Sequence, residues 1–326
     1  MVDRLDIVYR QERDRWVRGD KYLRPIARRI LRGKRSNFSG MEKVVRNLLR
    51  GFSRRQVPYS YNNPLLRLSR SKIVISFGLG AEGLRGIRRS APVIAAVGFP
   101  YPAELPDLCR QYNIRKYLQH SSWALDLVRS AQVYDDDIFA LWPAGIDTDT
   151  WQPFAPGSKT TDVLLYDKVI WEHDRHEASL IDPIRTYLKR QRRSFTEIRY
   201  GYYGEEQFRA ALAQCRVMIF LSQHETQGLA YQECLSCGVP VIAWDQGYWL
   251  DPVRFKYNRP TVRATSVPYF DERCGITFGY LEEFQARFDQ FFENALRNRY
   301  DPRAFVLEHL SIPMSTSRML DICRSV

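Results

Sequence analysis

The stretch HETQGLAYQECLSCGVPVIAWDQG, residues 224–247, places two glutamates, Glu225 and Glu233, eight positions apart. An apolar run at residues 217–221 precedes the stretch, and a second apolar run, at residues 239–243, lies inside it. Short apolar runs that are bounded by turn residues are typical of buried strands in a parallel sheet. The stretch therefore predicts a strand, a loop that carries Glu225, a helix that contains Glu233, and a second strand.

The same alternation of strand and helix patterns continues along most of the chain, with one interruption. This interruption is WQPFAPGSKTTD, residues 151–162, which is rich in Pro, Gly, Ser and Thr and is predicted to be a linker. Alternating strands and helices are typical of parallel sheets that are covered on both faces. Strand patterns cover 5–9, 72–77, 92–97, 116–118 and 138–142 before the linker, and 163–166, 195–200, 217–221, 239–243 and 275–278 after it. Helical patterns cover 40–49, 104–112, 123–128, 177–190, 205–214 and 229–237.

These patterns predict an α/β protein with two Rossmann-like domains that face a cleft. The first domain is predicted to cover residues 1–153 and the second residues 154–301. The last amphipathic pattern, 302–326, is expected to pack back on the first domain. Because ligands of open α/β sheets bind beyond the carboxyl ends of the strands, the loop that carries Glu225 is expected to line a ligand site.

The composition is that of an ordinary globular protein, with 44% hydrophobic and 26% charged residues among 326. No run of about 18 apolar residues is present, and the start MVDRLDIVYRQERDR is too charged for a secretory signal. We therefore expect a cytoplasmic protein.

The positive charge of the chain is concentrated at one end. Residues 1–70 hold 19 Lys and Arg against 6 Asp and Glu, a balance of +13, whereas the remaining residues balance at −1. Such a field attracts polyanions, which include nucleic acid, anionic lipid headgroups and acidic glycans. An arginine-rich surface that is simply solvated would give the same composition.

Cys234 and Cys237 form a C-x-x-C pair. A zinc site would need a second pair of ligands at a matching spacing, and the sequence has none. A redox site would need the pair at the start of a helix after a strand, whereas this pair falls late in a predicted helix. We therefore predict buried, reduced thiols.

The residues around the two glutamates suit a nucleotide sugar. Gly228 lets the backbone approach a ligand, and the first amides of a helix that begins near Leu229 are free to bind phosphate oxygens. Glu233, about one turn into that helix, suits a ribose diol, and Glu225 would reach the group beyond the phosphates. The alternative is structural, with Glu225 as a loop charge and Glu233 as a partner of the helix dipole.

The stretch resembles the E-x7-E motif of retaining GT-B glycosyltransferases, family 4 in particular. In that family a strand that ends in Ser is followed by E-x-x-G-x-x-x-x-E, a short helix and G-x-P-V-I-A. Weaker similarities to the same family lie at residues 36–49, 120–128, 142–153 and 301–311. The matching residues here are Ser222, Glu225, Gly228, Glu233, Gly238, Pro240, Val241, Ile242, Ala243 and Gly247.

The resemblance implies that a sugar moves from a nucleotide sugar, UDP- or GDP-linked, to a hydroxyl of a glycan, a lipid-linked glycan or a polysaccharide. It implies retention of the anomeric configuration, no metal and no other cofactor. The family's Gly-Arg pair is replaced here by Asp167 and Lys168, so Lys168 is expected to neutralise the leaving diphosphate. The implied catalytic residues are Glu225 and Lys168, and the implied donor-binding residues are Glu233, Gly228, Leu229, Ala230, Arg175 and Arg199. The implied residues of the first-domain loops are Ser39, Gly40 and His120.

Two further features of the sequence concern partners. Asp147-Thr148-Asp149 spells the D-x-D metal motif of the other glycosyltransferase fold, but its place at the domain junction argues against a metal site. The basic stretch KYLRPIARRILRGKR, residues 21–35, favours peripheral contact with an anionic membrane on its cytoplasmic face, or with a charged glycan. The alternatives are an inactive GT-B-like protein that binds nucleic acid or membrane, and a nucleotide-sugar epimerase. No nucleic acid partner is expected, since no known nucleic-acid-binding motif is present.

Overall fold

The computed structural model describes residues 4–10, 40–63, 72–78, 80–96, 98, 101–155, 157–257 and 261–326. The chain divides into two compact units. The first unit comprises Met1–Gly145 and Ile312–Val326, and the second comprises Ile146–Ser311. Each unit contains one parallel sheet.

The sheet of the first unit has the strand order β2-β1-β3-β4-β5-β6. Its strands are β1 (Leu5–Arg10), β2 (Tyr59–Tyr61), β3 (Ile73–Gly78), β4 (Val93–Ala96), β5 (Ile114–Gln119) and β6 (Phe139–Leu141). Every residue of β3 and β4 is buried, as expected for central strands of a sheet that is covered on both faces. The three-residue strand β2 lies outside the predicted patterns because it is too short and too exposed to show a period.

The sheet of the second unit has the order β11-β10-β9-β7-β8. Its strands are β7 (Thr161–Lys168), β8 (Phe195–Arg199), β9 (Cys215–Ser222), β10 (Val241–Trp244) and β11 (Gly275–Phe278). The predicted strand at 239–243 begins two residues later, because Pro240 has no N–H to donate to a neighbouring strand. In the parallel pairing of β7 with β9, Lys168 stands opposite Ser222, so the carboxyl ends of these two strands lie side by side.

Helices cover both sheets. Those of the described residues are α1 (Gly40–Arg54), α2 (Gly80–Leu84), α3 (Leu105–Tyr112), α4 (Ser122–Arg129), α5 (His173–His176), α6 (Asp182–Arg190), α7 (Glu205–Gln214), α8 (Leu229–Ser236), α9 (Leu281–Leu296), α10 (Pro302–His309) and α11 (Ile312–Arg324). The predicted helix at 177–190 is a π-helical turn, Glu177–Ile181, followed by α6. No helix among these is long and apolar enough to cross a membrane.

The core of the second unit has one apolar layer on each face of the sheet. Successive side chains of β7 point to opposite faces, so Leu164 and Tyr166 enter one layer while Val163 and Leu165 enter the other. A row of phenylalanines on α9, a helix outside the predicted patterns, fills the second layer. Strands β7 and β9 are therefore packed on both faces, which fixes the positions of their carboxyl ends.

The chain passes from the first unit to the second at Gly145 and returns at Ile312. The predicted boundary at 153/154 lies further along the chain. Trp151 is 4% exposed and packs on Phe208 with ring centroids 5.7 Å apart, so the start of the predicted linker is part of the second core. A large aromatic side chain gains much free energy from burial, which accounts for a buried tryptophan in a stretch rich in Pro, Gly and Ser.

The amphipathic pattern at 302–326 forms two helices that belong to different units. Helix α10 begins at Pro302, is capped by the Asp301 carboxylate, which accepts from Ala304 N at 3.1 Å, and packs on α8 of the second unit. Helix α11 packs on α1 of the first unit. The two helices separate because the chain turns at Leu310 and Ser311 between them.

Candidate active site

An ion pair between Lys168 and Glu225 occupies the carboxyl ends of β7 and β9. The Nζ atom of Lys168 lies 2.5 Å from Oε1 of Glu225, and the hydroxyl of Ser222 donates to the same oxygen at 3.1 Å. The side chains of Lys168 and Glu225 are 18% and 10% exposed, so the pair is largely shielded from solvent. The two residues that the sequence predicts to be catalytic are thus in direct contact.

The loop that follows β10 supports the backbone of Glu225. Glu225 N donates to the carbonyl of Thr265 at 2.9 Å, and the Thr265 hydroxyl donates to Asp245 Oδ2 at 2.6 Å. The other oxygen of Asp245 accepts from the amides of Gly247 and Ser266 at 3.2 and 3.3 Å. Asp245 and Thr265 therefore fix the position of Glu225, although no pattern in the sequence marks them.

Gly228 gives the chain a sharp turn immediately before α8. Its backbone has φ 77° and ψ 45°, in the left-handed region that favours glycine. A Cβ atom at this position would lie 2.1 Å from the Tyr231 ring, so no other residue fits without a shift of that ring. The turn brings Leu229 and Ala230, both partly exposed, to the first turn of α8, where backbone N–H groups lack partners within the helix.

Glu233 is 4% exposed and lies one turn into α8. Its charge and that of Glu225 both act on the Tyr203 hydroxyl, which lies 2.6 Å from the hydroxyl of Tyr166. Burial is the main cause of the raised pKa of Tyr203, and the two carboxylates raise that pKa further. Tyr203 thus lies within the field of both predicted glutamates. Its signal in the sequence is GYYG, residues 201–204, which begins two residues after the end of β8.

The three predicted cations have different surroundings. Lys168 Nζ lies 4.6 Å from the ring centroid of Tyr200, whose side chain is 48% exposed. Arg199 is also 48% exposed, with Nε 3.8 Å from Asp167 Oδ2. Arg175 is 75% exposed and pairs with Glu172 at 2.8 Å. Of these three cations, Lys168 is the one that the structure pairs with Glu225.

The predicted residues of the first unit lie in separate elements. His120 follows β5, and its Nδ1 lies 3.0 Å from the carbonyl oxygen of Trp142. Burial lowers the pKa of His120. Gly40 is the exposed first residue of α1. Ser39 and the basic stretch 21–35 lie outside the described residues.

A buried amide joins the loop after β7 to the loop after β9. Gln223 is 1% exposed, and its Oε1 accepts from the amides of Ile170 and Trp171 at 3.1 and 3.0 Å. Its Nε2 donates to the carbonyl of Trp171 at 2.7 Å. Gln223 therefore joins the loop that follows Lys168 to the loop that carries Glu225, although no pattern in the sequence marks it.

Aromatic rings stand beside this junction. The Trp171 ring stacks on the His224 ring, with centroids 5.0 Å apart and planes at 21°. Trp249 approaches His224 from the side at 6.2 Å. We name Trp171, His224 and Trp249 the aromatic wall. His224 immediately precedes Glu225, so the wall adjoins the ion pair.

The residues that look like metal ligands have other partners. Asp147 accepts from the Thr150 hydroxyl at 2.8 Å, an arrangement that stabilises a turn. Burial raises the pKa of Cys234 and, to about 12, that of Cys237, and all six cysteines are buried and free, as the sequence predicts. Asp167, His173 and Glu177 lie together, but the two ring nitrogens of His173 face different carboxylates, at 2.7 and 3.5 Å, which favours a hydrogen-bonded bridge.

No protein-family model and no curated protein matches the sequence. Solved structures do match it over nearly the whole chain. AviGT4, a glycosyltransferase involved in avilamycin A biosynthesis, is 13% identical with a TM-score of 0.58, over 99% of this chain and 97% of its own. The lipopolysaccharide outer core galactosyltransferase WaaB is 12% identical with a TM-score of 0.56, over 99% of each chain. Anabaena HepE, solved with UDP and glucose, is 10% identical with a TM-score of 0.55, over 99% and 100%.

These comparisons define the fold. Two parallel sheets with flanking helices, matched at full length by glycosyltransferase structures, are the GT-B fold. The predicted α/β class and the two Rossmann-like units are therefore confirmed.

Proposed function

We propose that this protein is a glycosyltransferase that transfers a sugar from a nucleotide sugar to a hydroxyl of a glycan, lipid-linked glycan or polysaccharide. The contact between Lys168 and Glu225 at the ends of β7 and β9 carries the proposal. The GT-B fold supports it, and so do the UDP and glucose bound to HepE, which has the same fold. We further propose retention of the anomeric configuration and a reaction without a metal ion.

Charge on the leaving group is the first requirement of the reaction. The nucleoside diphosphate gains negative charge as its bond to the sugar breaks, and fixed positive groups stabilise that charge. Lys168 is 18% exposed and one of its partners is Glu225, so a phosphate oxygen can reach the ammonium group. The amides of Leu229 and Ala230, brought forward by the turn at Gly228, add a partial positive charge.

The two glutamates take different parts of the donor. Glu225 orients the hydroxyls of the sugar and favours the oxocarbenium-like carbon, while Glu233 binds the ribose hydroxyls. The acceptor oxygen attacks on the face from which the phosphate leaves, and its proton passes to the leaving phosphate oxygen. Arg199 and Arg175, being exposed, have smaller proposed roles in the field around the donor. His120, Gly40 and Ser39 are proposed to serve the acceptor side.

A panel of nucleoside diphosphates and their sugars tests the proposal. We expect one base to raise the melting temperature of the full chain, and one of its sugars to raise it further, because a ligand that binds only the folded state stabilises that state. With an acceptor present, release of the nucleoside diphosphate should follow, and NMR of the product should show the donor's anomeric configuration. Binding without any transfer would favour an inactive relative, and isomerisation of the donor alone would favour an epimerase.

Contact of the basic residues 1–70 with an anionic membrane is a separate part of the proposal. The net charge of +13 in this segment supports it. Sedimentation with vesicles tests it. We expect binding to vesicles that contain phosphatidylserine, a decrease of binding at high salt, and little binding to phosphatidylcholine alone. Binding that ignores both salt and lipid charge would contradict it.

A further inference from the structure

The aromatic wall offers two partly exposed rings beside the ion pair. Trp171 and His224 are stacked at 5.0 Å, and both are partly accessible. In sequence, Glu225 lies between His224 on one side and Gly228 with the start of α8 on the other. If the diphosphate binds at α8 and Glu225 contacts the sugar, His224 lies beside that contact, because it adjoins Glu225 in the chain and is close enough to Lys168 for that charge to lower its pKa.

Two sets of contacts hold Trp171 and His224 in place. Gln223 makes three hydrogen bonds to the backbone of Ile170 and Trp171, and these bonds fix the position of the backbone that carries the indole ring. Trp249 is 2% exposed, and its amide donates to Val262 at 2.8 Å. A ring with two stacked or edge-on neighbours and a fixed backbone loses little further freedom when a ligand binds, so this surface is preorganised.

The chemistry of His224 suits an uncharged polar ligand. Burial, and then the charge of Lys168, lower the pKa of His224 to about 4. The imidazole is therefore neutral near pH 7, with one nitrogen that donates and one that accepts. Such a group adds no charge to a site that already holds Lys168 and Glu225, and it pairs equally well with either end of a hydroxyl dipole.

We infer that Trp171 and His224 form the subsite for the transferred sugar, with the stacked rings against its C–H surface and the imidazole on a hydroxyl, and that they determine which sugar is accepted. This inference rests on the proposed function. A nucleobase would also stack on these rings. However, the base lies beyond the ribose that is assigned to Glu233, whereas the wall adjoins Glu225.

The experiment compares affinities for a nucleoside diphosphate and for its sugar. The pair is the best one in the panel for the wild-type chain, and titration calorimetry gives Kd for each member. We expect His224→Ala and Trp171→Ala to weaken binding of the nucleotide sugar by about 10-fold or more, which is the usual effect of losing one well-placed contact, and to change Kd of the nucleoside diphosphate by less than about 2-fold. His224→Phe keeps an aromatic ring but no hydrogen bond, so it should change the ranking among sugars that differ at one hydroxyl.

His309→Ala is the matched control. This histidine of the same unit packs on Phe305, with ring centroids 4.8 Å apart, and lies outside the proposed site. Its substitution should alter neither Kd. Equal losses of affinity for the nucleoside diphosphate and its sugar in the wall variants would overturn the inference, and so would no loss for either. Failure of the wild-type chain to bind any nucleotide sugar would overturn the proposed function and this inference with it.

Discussion

Two clusters of charged residues in the second unit differ in how completely their cation is paired. Arg185 contacts three carboxylates, those of Glu177, Asp182 and Glu197, with Nε 2.8 Å from Glu197. Hydrogen bonding to Glu197 is the main cause of its raised pKa, and bonds to the other two carboxylates raise it further. Among the residues that the structure describes, Lys168 pairs with a single carboxylate, that of Glu225 at 2.5 Å, and its Nζ atom lies 4.6 Å from the centroid of the Tyr200 ring.

The difference separates a structural cluster from a candidate binding site. Three carboxylates around Arg185 leave an anionic ligand nothing to gain, because its own charge would meet an excess of negative charge. Lys168 can accept a second anion without losing Glu225, and it stands at the carboxyl end of a parallel strand, where ligands of such sheets bind. Charge alone therefore does not mark the site, but a cation with a single carboxylate partner at a strand end does.

Substitution of Glu225 is expected to have the largest effect on turnover. If it had none, the distinction between the Lys168–Glu225 pair and the Arg185 cluster would fail. Glu225→Gln keeps the size of the side chain and its bond from Ser222 but removes the charge. We expect kcat to fall by about 10²- to 10³-fold, the usual loss when one electrostatic partner of a transition state is removed. Steady-state release of the nucleoside diphosphate measures it. Glu282→Gln, an exposed change in α9, is the control, and full activity of Glu225→Gln would remove this residue from the mechanism.

Lys168→Met should have the next largest effect. We expect kcat to fall by about 10²-fold and the nucleoside diphosphate to bind more weakly, because the leaving group loses its cation. The same assay and a titration with the diphosphate measure the two effects. Lys189→Met, in the last turn of α6 and exposed, carries the same change elsewhere and should have no effect. If Lys168→Met and Lys189→Met had equal kinetics, Lys168 would have only a structural role, like Arg185.

The pH dependence of stability tests the surroundings of Lys168 through His224, because burial and then the charge of Lys168 lower the pKa of this histidine. The folded chain keeps His224 neutral down to about pH 4, whereas an unfolded chain protonates it near 6.5. Its contribution to stability is therefore complete above pH 6.5 and is lost as pH falls toward 4. Between pH 7 and 4.5, we expect wild type to lose about 2 kcal/mol more than His224→Phe. Urea unfolding at both pH values measures this, and parallel pH dependence in the two proteins would contradict it.

Arg185→Ala should have the opposite profile from Lys168→Met. Two of its three carboxylate partners, Glu177 and Glu197, are partly buried and lose their hydrogen bonds, so the free energy of unfolding should fall by about 1–2 kcal/mol while kcat stays within about twofold. Urea unfolding and the transfer assay measure the two quantities. Arg190→Ala, exposed in the same helix α6, is the control and should change neither. A loss of turnover with unchanged stability in Arg185→Ala would reverse the roles of the two clusters.

Arg175→Ala should have the smallest effect. Its pair with Glu172 is 75% and 61% exposed, and exposed pairs of this kind contribute little. We expect KM for the donor to change by less than about twofold. A tenfold rise in that KM would place Arg175 in the donor site, as its position in the sequence predicts. It would also show that an exposed cation, and not Lys168 alone, contributes to donor binding.

Residues at strand ends were the part of the site that the sequence could predict. Glu225, Gly228 and Lys168 follow buried apolar runs within a few positions, and a parallel sheet brings such positions to one edge. Gln223, Tyr203, Asp245 and Thr265 escaped prediction. Their roles depend on hydrogen bonds between loops that are 20 to 53 residues apart, and no periodicity records such contacts.

The same limit applies to the fold. Long apolar strands such as β7 and β9 were predicted within two residues at each end, because burial on both faces produces a continuous apolar run. The packing of Trp151 was not predicted, since a tryptophan among Pro and Gly residues looks like part of a linker until its partner Phe208 is known. Burial there is decided by a contact distant in sequence rather than by local composition.

The return of the chain to its first unit has a consequence for biosynthesis. At Gly51 of α1 a Cβ atom would lie 1.9 Å from the Thr316 hydroxyl of α11, so the two helices meet in close contact. The ribosome makes α11 only after all of Ile146–Ser311, a continuous stretch that contains every strand of its own sheet. The unit that begins first is thus completed last. Until α11 is made, the apolar side of α1 in a nascent chain lacks this partner and is open to aggregation or to binding by chaperones.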